Sequence, residues 1–432
     1  MRAAVVAIVA SIALQGCAPT GVTVVPTPTT IATLEPSPSV VPTAQSTAER
    51  STPVPRPTPF VPCPSPPASV GEITVVPLCV VGANVLIENA LTHDDLHALY
   101  EQVTADLDAV QREFDRTLRQ PPSIYVFATT ASYRIGLMHL LAYSEATAAF
   151  VADNSVAFFE PDTRAILVNW GAVRERRPVA AIRHELTHAA TLEACAPRCD
   201  LVPAWLNEGQ ARLAEATIAG GEWRLVRVRY EAASMAATNT LMPLARLVTQ
   251  GQWNSITSWA GYYKYQQAAR ATELLREDIG GAQPIARLYE RLRRGEDVAR
   301  AYAALTGRSF DAFVRGLASR FAAGIPAGPA VVLTAAPQAD DGRGYLLYGF
   351  GSEEKVQLRV VGRRTDEREE VGVSPQGAHF GELPGRYPAG EYTLTVTSGD
   401  TVVASITFEK RGGRPVPRAD QSTGGTGREV AR

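Results

Sequence analysis

The chain has 432 residues, 45% of them apolar and 20% charged, which is ample for a sizeable core. Its formal net charge is −2 and no basic stripe runs along it, which argues against a nucleic-acid-binding surface. The short mixed cluster Arg174-Glu-Arg-Arg177 reads as a solvated turn, and no repeat of solenoid or propeller length is present.

At the start of the chain, Arg2 precedes an apolar run from Ala3 to Leu14, too short to span a bilayer. The run ends at Leu14-Gln15-Gly16-Cys17, which resembles the bacterial lipobox. That resemblance implies a signal peptide over residues 1–16, lipidation of Cys17, and a lipoprotein held on the extracytoplasmic face of the cell membrane. Cysteine arithmetic agrees, because five cysteines are odd and setting Cys17 aside leaves four. In an exported protein Cys63, Cys79, Cys195 and Cys199 are free to form disulfides. Three pairings are open, and nearness in sequence favours Cys63–Cys79 with Cys195–Cys199, the second bracing the loop from Glu193 to Val202. Their spacing matches no zinc ribbon or finger. Residues 17–69 read as a disordered Pro/Thr-rich tether, since 14 of the 31 prolines fall between Ala18 and Ala68.

Residues 70–328 carry the patterns of an ordered α+β domain. β-branched Ile73-Thr-Val-Val76 predicts a strand, as does Pro122-Ser-Ile-Tyr-Val-Phe-Ala128, and the amphipathic stretch from Thr92 to Arg119 between them predicts a helix capped by Thr92. That helix opens on His93-Asp-Asp-Leu-His97, a histidine pair at i, i+4. No third ligand motif follows the pair, and Asp94 and Asp95 suit a first helical turn, so it reads as a solvated helix start. Single His139 and His379 read as structural or exposed. Thr163-Arg-Ala-Ile-Leu-Val168 predicts another strand.

The next segment carries the chemistry. Pro178 opens an Ala- and Leu-rich stretch that contains His184-Glu185-Leu186-Thr187-His188. On a helix His184 and His188 share one face and can bind one metal, while Glu185 lies beside that face as a candidate general base. A second helical pattern starts at Pro203, buries Trp205, Leu206, Leu213 and Ala214, and places Glu208 near its beginning; small Gly209 and Ala211 admit a close neighbour. Catalytic zinc takes three protein ligands and leaves a position for water.

With these two motifs, His184-Glu-Leu-Thr-His188 and Trp205-Leu-Asn-Glu-Gly-Gln-Ala211, the chain resembles the gluzincin metallopeptidases, the thermolysin and aminopeptidase type, and in particular bacterial peptidase-MA-like domains. The resemblance implies a zincin-like domain, mainly helical in its C-terminal half, with His184, His188 and Glu208 as zinc ligands and Glu185 as general base. It also implies a tyrosine that stabilises the oxyanion. Trp259-Ala-Gly-Tyr-Tyr-Lys-Tyr265 offers Tyr262, Tyr263 and Tyr265, of which Tyr265 aligns best and Tyr263 is the reserve; ordinary core tyrosines would give the same pattern. A sheet edge beside the zinc pairs with substrate in this family, and the strand from Thr163 to Val168 is the expected edge. The chain departs from the aminopeptidases in having no Gly-x-Met-Glu-Asn run, which favours endopeptidase action.

Helical patterns continue over Ala282–Arg294 and Asp311–Ala323, and from about Pro329 the period falls to two. Ala330–Thr334, Gly344–Gly349, Lys355–Val360, Glu391–Val396 and Val402–Phe408 predict strands, and residues 329–410 resemble a small immunoglobulin-like sandwich serving as a spacer or binding module. Residues 411–432 are Gly- and Arg-rich and read as a disordered tail. Two functions fit: a tethered zinc peptidase acting on peptides or proteins, or a catalytically silent surface protein that binds its partner through the sandwich. Glu185 favours the first, because metal binding alone needs no base.

Overall fold

A computed structural model describes residues 63, 65–173, 180–218, 222–281, 283–335, 343–383, 387–410 and 416–417. Alternating apolar residues from Ala68 onward build a mixed sheet. Strands β1 (Ala68–Val70), β2 (Ile73–Val80) and β3 (Ala83–Glu88) form an antiparallel meander. Helix α1 (His93–Glu113) then crosses over to β4 (Ser123–Phe127), which lies parallel to β3, as a crossover connection requires. Helices α2 (Thr130–Leu141) and α3 (Glu145–Asn154) lead to β5 (Ala157–Glu160) and β6 (Ala165–Asn169), and α4 (Trp170–Val173) follows.

The sheet order is β1-β2-β3-β4-β6-β5. The strand predicted from Thr163 to Val168 is therefore β6, and it is not an edge: it pairs in parallel with β4 and antiparallel with β5. All five of its residues are buried. Ile166 and Val168 join the core under α1, while Leu167 joins Phe127, Tyr133 and Leu137 on the opposite face. A strand covered on both faces belongs inside the sheet. The edge is β5.

Thr92 caps α1 in a capping box with Asp95, and Asp95 also accepts a hydrogen bond from Trp170 Nε1 at 2.8 Å. The His93 pair is thus a helix start, as its acidic first turn predicts. The helix ends at Glu113, before the predicted Arg119, because Asp115 takes a left-handed conformation (φ 49°). Leu99, Val103, Leu107 and Val110 form its buried stripe, each contributing about 1.5–3 kcal/mol.

The tether's predicted boundary at residue 69 lies too far along the chain. Cys63 is disulfide-bonded to Cys79 of β2, and Ala68 and Ser69 already belong to β1. A second disulfide joins Cys195 to Cys199. The predicted Pro178 helix start, the Arg174–Arg177 cluster and the lipobox lie outside the described residues.

Helices fill the next stretch: α5 (Ala180–Cys195), α6 (Ala204–Ala216), α7 (Glu222–Ala237), α8 (Gln250–Asn254), α9 (Ser258–Ile279), α10 (Pro284–Arg293), α11 (Val298–Thr306) and α12 (Phe310–Ala322). Ile182, Leu186, Ala189 and Ala190 of α5 enter the same core as α1. Arg183 ties the two helices by a buried ion pair with Asp106 at 2.7 Å. At Gly209 helix α9 approaches α6 so closely that a Cβ would stand 2.4 Å from the Ala268 carbonyl oxygen. Among the described residues no helix is long and apolar enough to cross a membrane.

The C-terminal region is a separate set of antiparallel strands: β7 (Ala330–Ala335), β8 (Arg343–Tyr348), β9 (Lys355–Gly362), β10 (Thr365–Gly372), β11 (His379–Leu383), β12 (Gly390–Ser398), β13 (Thr401–Lys410) and β14 (Val416–Pro417). They make two sheets, β10-β9-β12-β13-β14 and β11-β8-β7, with one shared core that contains Leu347, Leu358, Leu394 and Phe408. Five of these strands match the predicted runs. β10 and β11 do not, and β14 falls in the predicted tail, where Val416 pairs with Glu409.

This β region is docked on the helices. Ser234 of α7 accepts from the Gly349 N–H at 3.1 Å, and its Oγ lies 2.8 Å from the carbonyl oxygens of both Gln376 and Gly377. Tyr230 meets Tyr348 edge-on at 4.8 Å, and Trp223 stacks on Phe380 at 5.8 Å.

Candidate metal centre

Helix α5 places His184 and His188 on one face, as i, i+4 spacing dictates, with their rings 4.8 Å apart and nearly perpendicular. Helix α6 begins after Pro203, whose φ of −69° suits the start of a helix, and brings Glu208 across from α5 within its second turn. Glu208 Oε2 lies 3.6 Å from His184 Nε2 and 3.6 Å from His188 Nε2. All three donor atoms lie within 4.8 Å of one another. Donors on a tetrahedral zinc stand about 3.4 Å apart, given bonds of about 2.1 Å, so this set can close on one such ion.

The far side of each imidazole is also fixed. His184 Nδ1 lies 2.8 Å from Glu215 Oε1, and His188 Nδ1 lies 3.0 Å from Asn207 Oδ1. Both partners are acceptors, so each Nδ1 carries a hydrogen and each Nε2 is left facing Glu208, where a metal could take its lone pair in place of a proton. The donor set fits a borderline cation such as zinc.

Electrostatics point the same way. Burial opposes a proton on His184, but the hydrogen bonds it donates to Glu208 and Glu215, and the charge of Glu185, raise its pKa well above the ordinary value. The pocket attracts positive charge. Glu208, 7% exposed, is pushed up by burial but is held below the usual carboxylate range by His188 and His184. Burial likewise raises Glu215, yet Arg212, His184 and Arg224 bring it down to about 2. Glu185, 8% exposed, behaves differently: burial outweighs the pull of the two imidazoles, with Glu208 and Glu215 adding to the upward shift.

The three tyrosines separate in space. Tyr265 lies beside the centre, its ring 6.5 Å from that of His184. Tyr262 gives its hydroxyl to Glu231 Oε2 at 3.0 Å and receives bonds from Arg227 and Gln266. Tyr263 faces the β region, donating to the Ala378 carbonyl at 3.3 Å and accepting from Ser374 Oγ at 2.9 Å.

Sequence reasoning missed Glu215, Asn207 and Gln250. Glu215 follows Glu208 by seven residues, two helical turns, so a face plot of α6 would have found it. Asn207 adjoins Glu208 and offered the same chance. Gln250 donates to Glu208 Oε1 at 3.4 Å from the distant helix α8, and no local pattern marks it. His139 packs over Gly71, and His379 binds the Gly372 carbonyl through Nδ1 at 3.1 Å; neither comes into the cluster. The four described cysteines are held in disulfides and take no part. No protein-family model matches this sequence and no curated protein matches it significantly; what the chain itself presents is a His-His-Glu cluster able to chelate a metal ion.

Proposed function

We propose that the protein is a zinc-dependent hydrolase of peptide bonds. The observation that carries this reading is the convergence of His184 Nε2 and His188 Nε2 on one Glu208 oxygen, with the buried Glu185 carboxyl next to a ligand and outside the ligand set. A zinc ion held by His184, His188 and Glu208 would polarise a substrate carbonyl and make a water acidic. Glu185 takes the proton of the attacking water on its carboxylate and returns it to the leaving nitrogen. Its raised pKa suits a group that must both accept and give back a proton. Tyr265 donates its hydroxyl hydrogen to the carbonyl oxygen as negative charge collects there. Burial pushes the Tyr265 phenol up, which keeps it protonated for that role.

An extended substrate pairs with β5. That strand packs against α5, and among the described residues no strand covers its outer side. Cleavage within a chain is favoured over removal of an N-terminal residue, because no Gly-x-Met-Glu-Asn run is present. The Leu14–Cys17 motif supports an exported, lipid-anchored protein that meets its peptide substrates outside the cytoplasm.

The decisive experiment compares zinc-loaded protein with chelator-treated protein on a mixed peptide library. We expect cleavage that chelation abolishes and zinc restores. Glu185→Gln should keep one zinc per chain and lose at least about a hundredfold in kcat. Full activity in that variant removes Glu185 as the base, and a zinc-loaded protein that cleaves nothing removes the hydrolase.

A further inference from the structure

Lys264 is a buried cation that the mechanism above does not use. It lies on α9, is 5% exposed, and its ammonium is held by carbonyl oxygens: Nζ donates to Trp253 O at 2.6 Å and to Ile256 O at 2.9 Å. These carbonyls belong to the last turn of the short helix α8 and the turn after it, where Trp253 O also accepts from the Ile256 N–H at 3.2 Å. The ammonium also faces the Trp253 and Tyr265 rings, 4.8 and 5.7 Å from their centroids.

Helix α8 touches the metal centre at two points. Gln250, its first residue, donates through Nε2 to Glu208 Oε1 at 3.4 Å, while the other oxygen, Oε2, faces both histidines. Trp253 meets the Tyr265 ring edge-on at 4.9 Å and so fixes where that ring sits. A five-residue helix has too few internal hydrogen bonds to hold itself in place. It needs an external anchor, and the Lys264 ammonium supplies one.

We propose that Lys264 is a positioning residue that pins α8, and that α8 sets two groups of the site at once: Glu208 through Gln250 and Tyr265 through Trp253. The Tyr265 half rests on the hydrolase reading, whereas the Glu208 half needs only metal binding.

The test uses the full chain and zinc alone as the ligand. Lys264→Met keeps the aliphatic stem and removes the donor. Its zinc affinity, measured by competition with a chromophoric chelator, should fall about tenfold, and Lys264→Arg should recover most of that loss. On a peptide the wild type cleaves, Lys264→Met should lower kcat about 10- to 100-fold with KM within about threefold. Combined with Tyr265→Phe it should lose little beyond Tyr265→Phe alone, because both variants remove the same interaction. Unchanged zinc affinity in Lys264→Met overturns the proposal, as do kcat losses that multiply in the double variant. Should Lys264→Met fail to fold, Gln250→Leu and Trp253→Phe take its place: the first should weaken zinc binding, the second should lower kcat, and wild-type behaviour in either overturns the corresponding half. A wild type that binds zinc but cleaves nothing sinks the hydrolase, and the zinc-affinity arm still decides whether Lys264 and α8 set Glu208.

Discussion

His184 Nδ1 and Glu215 Oε1 stand 2.8 Å apart, so the imidazole whose Nε2 faces Glu208 is gripped from behind by a carboxylate. Glu215 is itself held ionised by Arg212 and by Arg224, whose Nε lies 3.7 Å away. A fixed carboxylate of this kind orients the ring and raises its basicity toward the metal.

Glu215→Gln should therefore weaken zinc binding about 10- to 100-fold while leaving the ligands in place. The amide oxygen can still accept from Nδ1, but the negative charge is gone and two guanidiniums lose their counter-ion. Competition with a chromophoric chelator measures the change. Affinity within twofold of wild type would mean that Glu215 serves only to neutralise the arginines.

Gly209 makes a second prediction, this one about stability. A Cβ at this position would meet the Ala268 carbonyl at 2.4 Å and Thr272 Oγ1 at 2.4 Å, and backbone cannot step aside as a side chain can. Gly209→Ala should destabilise the protein by about 1–3 kcal/mol, even though alanine is the better helix former. It should also weaken zinc binding, since Glu208 adjoins the displaced position. A denaturant titration checks the first claim, and a midpoint equal to or above that of wild type would contradict it.

The three residues of the His-His-Glu cluster were legible because each sits at a fixed helical offset inside a short motif. His184 and His188 need only one helix, and Glu208 needs only a second helix packed on the first. Glu215 and Asn207 lie on the same helix as Glu208 and were within reach of a face plot, but the rest of what escaped is set by contacts distant in sequence. Gln250 reaches Glu208 across 42 residues, and what sets the reserve Tyr263 apart from Tyr265 is its hydroxyl's bond to the Ala378 carbonyl, 115 residues away. The edge strand β5 has four residues, Ala-Phe-Phe-Glu, too few to declare a period, whereas its buried neighbour β6 shows a clear apolar run and drew the assignment instead. Strand β10, Thr365–Gly372, is masked by its charges. It lies at a sheet edge where Asp366 pairs with Arg359 and Glu370 with Lys355, and charged edge strands are a common guard against further pairing.

The docked β region makes the third prediction. Its attachment buries Tyr230 against Tyr348 and seats Ala378 on Tyr263, two residues from Tyr265. Ending the chain after residue 328 should expose Tyr230, Tyr263 and Met235, at about 1.5–3 kcal/mol each. The shortened protein should lose its cooperative unfolding transition or associate through the bared face. A monomeric fragment with wild-type stability and activity would show the β region to be an independent module.

The disulfides make the last prediction. Cys195–Cys199 closes a short loop at the end of α5, just before α6, while Cys63–Cys79 closes a longer one that pins the chain before β1 to β2. Loop-closure entropy assigns about 2 kcal/mol to the first and about 3 kcal/mol to the second. Their consequences should differ more than their energies. Replacing Cys195 and Cys199 by serine loosens the segment that carries the zinc ligands toward one another, so zinc affinity should fall along with stability. Replacing Cys63 and Cys79 should lower stability alone, because β1 and β2 lie at the end of the sheet away from β5 and α5. Thermal unfolding and chelator competition on the two double variants separate these effects. Equal zinc affinity in both would show that α5 and α6 are held together by their packed core and owe nothing to the bridge.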